Sequence, residues 1–135
     1  MNDLRCVVIL NSELPTGKAA NAAAVISLTL GQRHPHFVGS ELIDGSGQSH
    51  PGLIPVGIPV LSASNEQLRS LLSQCAEYGF DRILFPVEGQ MTVDYTAFSE
   101  AVSRIPTEEL QHLGMGIVGE KKALRKLTAK LKLFG

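Results

Sequence analysis

The sequence predicts an α/β layered domain, and three observations carry that expectation. Apolar runs at residues 6–10, 83–85 and 113–118 have strand length, and the first is continuous, as in a strand buried on both faces. Helical periodicity lies between them: Leu68, Leu71, Leu72, Cys75 and Ala76 form one stripe of an amphipathic helix. Cap and stop residues mark the boundaries, so strands alternate with helices along the chain.

A length of 135 residues suits one domain, 1–135, able to bury a proper core. Hydrophobic content of 44% with 19% charged residues argues against disorder. A net charge of −1 gives no global drive toward nucleic acid or a membrane surface. Near the N-terminus Asp3 and Arg5 precede a short apolar run with no small-residue cleavage site behind it, so no signal peptide is expected. No stretch approaches the roughly 18 apolar residues of a membrane span. The two cysteines, Cys6 and Cys75, each sit in an apolar segment; buried free thiols and a cytoplasmic location are expected.

The first strand spans residues 5–10, and residues 11–15 form a loop. Thr16 is a candidate N-cap, and Lys18 falls in the first turn of the helix that follows. A cation there is unfavourable for the helix alone, which favours a bound anion or a carboxylate partner. Alanines at 19, 20, 22, 23 and 24 leave no polar face, as full burial or a subunit interface would require, and Gly31 is the expected stop. Short strands are expected around residues 37–39 and 41–43, a turn-rich loop over 44–52, and a proline-interrupted edge strand over 56–61. Ser64 and Gln67 form a capping box, and Gly79 ends that helix. Pro86 ends the strand at 83–85, and Asp94 caps a helix with Phe98, Ala101, Val102 and Ile105 on one face. The final helix begins near Glu120, burying Ala123, Leu124 and Leu127 beneath a face of Lys121, Lys122, Arg125 and Lys126.

Several catalytic patterns fail on the residues. A phosphate-binding loop around Gly17 and Lys18 would need glycine where Ser12 stands and a hydroxyl where Ala19 stands. His34, His36 and His50 lack cysteine or carboxylate partners at metal-ligand spacing, so no metal and no cofactor is expected. No serine lies in a nucleophile-elbow pattern. The plainer reading of Lys18 is a solvated side chain near a helix start.

Three stretches together resemble the peptidyl-tRNA hydrolase II family. Gly17-Lys18 and the alanine-rich helix match its Gly-Lys-X-Ala-Ala-Gln; residues 71–89 resemble its helix, glycine stop, strand and Asp-Ala-Gly-X-Thr-Gln turn. Gly116-Ile117-Val118-Gly119 resembles its closing strand, and residues 127–133 its Thr-Gly-X-Leu-Lys-Leu tail. The middle insert is more similar to a branch of uncharacterised bacterial proteins, a domain of unknown function. The resemblance implies a three-layer α/β/α domain with a small mixed sheet and a homodimer, here through the alanine-rich helix.

The resemblance assigns ester hydrolysis to a loop lysine, a turn aspartate and a turn threonine. Lys18 matches the first. Alignment on Gly89 puts Val87 and Met91 at the other two, and neither can hold water or accept a proton. A one-residue slip offers Glu88 and Thr92 instead, and Asn21 stands near the family's glutamine. Two expectations follow. The first is a pocket at Lys18, lined by Gly17, Asn21, Gly89 and Gln90, that takes a small anionic or acyl-bearing ligand. The second is a peptidyl-tRNA hydrolase with Lys18, Glu88 and Thr92 as catalytic residues and tRNA as partner.

Overall fold

In the computed structural model, which describes residues 3–135, a five-stranded mixed sheet carries helices on both faces. The elements run β1 (Leu4–Asn11), α1 (Thr16–Arg33), β2 (Leu42–Ile43), β3 (Ser49–His50), β4 (Val60–Ala63) and α2 (Asn65–Tyr78). They continue with β5 (Asp81–Pro86), α3 (Tyr95–Ser103), β6 (His112–Glu120), α4 (Lys121–Leu127) and β7 (Lys132–Leu133). The order across the main sheet is β5-β6-β1-β4-β7. Only β1 and β4 are parallel neighbours; β6 runs antiparallel to β1 and β5, and β7 antiparallel to β4.

β1 is the central strand and is buried on both faces, which is why its apolar run does not alternate. Cys6, Val8 and Leu10 pack with Ala19, Ala22, Ile26 and Leu30 of α1. Val7 and Ile9 pack on the other side with Leu68, Leu71 and Cys75 of α2 and Leu124 of α4. α3 lies by the β5 edge, where Phe98 shares shallow clefts with Leu84.

The small residues of α1 and β6 answer one another. Gly114 and Gly116 of β6 stand beneath α1, and a Cβ at Gly116 would come 2.6 Å from Ile26 Cγ2. Alanines on the helix and glycines on the strand let the two backbones approach closely. Only one face of α1 is used this way. Ala20, Ala24, Val25 and Leu28 remain exposed, so the all-round burial that the alanine run suggests does not occur within this chain.

Other boundaries differ from expectation for identifiable reasons. α1 runs through Gly31 to Arg33, where Arg33 and His34 both bind the Asp81 carboxylate, at 2.8 and 2.6 Å, and tie the helix end to β5. Pro15, not Thr16, holds the cap position, and no side chain caps the helix. The fourth strand begins only at Val60, after Gly57 and Pro59, rather than at Val56. The strand expected over 37–39 does not form; residues 35–37 make a helical turn there. The loop expected over 44–52 is the turn and second strand of a β2–β3 hairpin held by Asp44, whose Oδ1 accepts from the Ser46 and Gln48 amides while Oδ2 meets His50 at 2.8 Å. Residues 132–133 form a strand on the β4 edge that the lysine-rich tail did not announce.

The capping box of α2 forms as predicted, and Gly79 ends that helix at φ 69°. Asp94 caps α3 and Glu120 caps α4. No helix among the described residues is long and apolar enough to cross a membrane.

Candidate functional site

Because β1 and β4 are parallel and each feeds a helix, the N-termini of α1 and α2 gather at one end of the sheet. That is the end where α/β sheets bind ligands. The two helix starts differ. Ser64 Oγ accepts from the Gln67 amide and Gln67 Oε1 accepts from the Ser64 amide, so the start of α2 is closed. α1 has no side-chain cap and no acidic residue in its first turn. Its first intrahelical bond runs from the Ala19 amide to the Pro15 carbonyl, which leaves the amides of Thr16, Gly17 and Lys18 to the surroundings. A Cβ at Gly17 would meet nothing within 4 Å, so the approach to these amides is open. Lys18 is exposed and joins no ion pair among the described residues.

The turn after β5 docks onto this helix start. Pro86 Cα pairs with His112 across an irregularity in the β5–β6 ladder, and residues 87–90 then coil into one helical turn. Gln90 Nε2 donates to the Lys18 carbonyl and to Asn21 Oδ1, both at 3.1 Å. Gly89 is required by packing, since a Cβ there would enter the Phe85 ring. Thr92 Oγ1 donates to the Glu88 carbonyl at 2.9 Å, and its side chain faces the apolar cleft between α1 and α3.

Lys18, Asn21 and Gln90 are thus brought together by direct bonds, with Gly17 and Gly89 beside them. Glu88 belongs to the same turn, whereas Thr92 has its hydroxyl proton engaged and lies toward the α1–α3 cleft. Val87 is half-buried in the core that covers α1, and Met91 is exposed, so neither adds polar chemistry.

Sequence reasoning missed the residue behind this turn. His112, 1% exposed, is the buried polar residue of the described chain, and neither ring nitrogen has a partner. Its backbone is held from two sides: Asn11 Nδ2 donates to its carbonyl at 3.1 Å, and its amide donates to Asn65 Oδ1 at 2.9 Å. Burial pushes its pKa below the ordinary imidazole value; Arg69 adds to that shift and Glu88 opposes it. Glu88 Oε1 and Gln90 Oε1 are likewise buried without partners. The only signal for His112 in the sequence was a histidine heading an apolar run. The loop histidines weighed for metal binding are used otherwise: His34 and His50 each meet an aspartate, and no group of three metal-binding side chains forms among the described residues.

The family described as a protein of unknown function, DUF2000, matches residues 4–134. The chain belongs to that family. Among solved structures, this DUF2000 chain is similar to a protein of unknown function from Agrobacterium tumefaciens, with 23% identity, a TM-score of 0.90 and complete coverage of both chains. At that identity the likeness speaks for a shared fold alone. No curated protein matches the DUF2000 chain.

Proposed function

We propose that this DUF2000 chain binds a small anionic or acyl-bearing ligand at the N-terminus of α1. The observation that carries the reading is the missing cap. α2, α3 and α4 each close their first turn with their own side chain, Ser64, Asp94 and Glu120, and α1 alone does not. Free amides and the positive end of an 18-residue helix favour an anion there, and Lys18 adds a mobile cation beside them. Asn21 and Gln90 line the flank.

NMR titration with inorganic phosphate tests this. Shifts confined to the amides of residues 16–19, and weakened in Lys18→Ala, are expected. Shifts absent at millimolar phosphate, or unchanged by Lys18→Ala, would remove the reading.

One observation favours a second reading, ester hydrolysis on peptidyl-tRNA. Glu88 Oε1 and both ring nitrogens of His112 are buried without partners, and carboxylates and imidazoles are the groups that orient water. In this version Lys18 stabilises developing negative charge, Glu88 orients water, and Thr92 supports the ester after its hydroxyl leaves the Glu88 carbonyl. Release of an N-blocked amino acid from blocked aminoacyl-tRNA decides it, with Glu88→Gln expected to abolish turnover.

The exposed apolar face of α1 supports a homodimer. Leu28 is 79% exposed there, and Val93 and Tyr95 stand exposed across the adjoining cleft. Light scattering that finds a monomer at high concentration would discard this contact.

A further inference from the structure

A cavity of about 650 Å³ lies toward the opposite end of β1 from the α1 N-terminus. Its origin is the late start of β4. Pairing with β1 begins at Val8 and Val60, so Arg5, Cys6 and Val7 have no β4 residue beside them. Residues 56–59 pass this stretch, with the Val8 amide donating to the Pro59 carbonyl, and the α4–β7 connection closes the other side. The volume falls in the range of small-molecule sites.

Its walls and its charges have different characters. Val7, Val56, Ile58, Leu61, Leu124 and Leu131 give an apolar lining. Arg5, Lys121 and Arg125 are the charged residues that line it, and no aspartate or glutamate among the described residues does so. None of the three cations joins an ion pair among those residues. Glu120, next in sequence to Lys121, has both carboxylate oxygens engaged by the amides of Lys122 and Ala123. The Arg5 guanidinium donates once, to the Leu4 carbonyl, and keeps further donors free. Three like charges around an apolar cavity are complementary to one kind of molecule, an anion with an apolar body.

We propose that this cavity binds a carboxylate carrying an apolar chain, with the chain against Leu61, Leu124 and Leu131 and the carboxylate among Arg5, Lys121 and Arg125. The site is separate from the α1 N-terminus, so it stands or falls without the function proposed above. The charge contribution weakens with added salt, while the apolar contribution does not.

Calorimetric titration with octanoate, and with octanol as its neutral counterpart, tests the proposal. Octanoate is expected to bind, and octanol at least tenfold more weakly. Arg125→Ala and Lys121→Ala are each expected to weaken octanoate on the order of fivefold, as partly exposed charge pairs do. Lys126→Ala, on the same helix but outside the lining, serves as the control for unspecific charge and is expected to change nothing. Thermal unfolding of each variant establishes that the fold is kept. Equal binding of octanol, an equal loss in Lys126→Ala, or no octanoate binding at millimolar concentration would overturn the proposal.

Discussion

Gln90 and Asn21 are 69 residues apart in sequence, yet the Gln90 carboxamide donates to Asn21 Oδ1 and to the Lys18 carbonyl at the same 3.1 Å. This tie fixes the turn after β5 against the first turns of α1, and the candidate site depends on that docking. Gln90→Ala is expected to lower stability by about 1 kcal/mol, the net worth of such bonds. Urea unfolding measures it; an unchanged midpoint would mean that packing alone holds the turn.

Two glycines are expected to respond with opposite sign. A Cβ at Gly114 would stand 2.7 Å from the Ile9 carbonyl oxygen, which cannot move without disturbing the β1–β6 ladder. Gly114→Ala is therefore expected to cost roughly 1–3 kcal/mol. Gly17 lies in a helical turn with open space around it, and Gly17→Ala is expected to stabilise by about 0.4–1 kcal/mol. Paired urea titrations check both signs at once.

Stability is expected to fall with acidity through His112. Its pKa is depressed by burial and by Arg69, so the folded chain keeps the ring neutral where the unfolded chain begins to protonate, near the ordinary imidazole value of 6.5. The contribution is fully present above that value and is lost as pH falls from there toward the folded pKa. His112→Gln removes the titrating ring and should flatten the fall of the urea midpoint below pH 6.5. A variant with the wild-type slope would assign that pH dependence to another group.

Neither thiol should react in the folded state. Burial raises the Cys75 pKa to about 11 and moves Cys6 in the same direction, and both side chains are shielded from solvent. Ellman's reagent at pH 8 is expected to modify both cysteines only as fast as the chain unfolds. Rapid modification of either one would show that its surroundings open without global unfolding.

Local chemistry was legible where it was self-contained. The α2 boundaries could be read because Ser64, Gln67 and Gly79 act within a few residues of chain, and Asp94 and Glu120 acted likewise at their helices. The alanine run of α1 was ambiguous because its explanation, the glycines of β6, lies some ninety residues away. Lys18, Asn21 and Gln90 could be named as candidates, but nothing in their spacing said that they meet.

The sequence by itself determined the alternation of strands and helices, the caps of α2 and α3, the start of α4 near Glu120, and the burial of β1 on both faces. These follow from periodicity and from bonds between near neighbours. Only the tertiary structure decided that α1 stays uncapped, that Gln90 reaches Asn21, that His112 is buried without a ring partner, and that three cations surround one apolar cavity. Each of these depends on which strands lie side by side, and strand pairing is set by packing across the whole sheet rather than by any local run of residues.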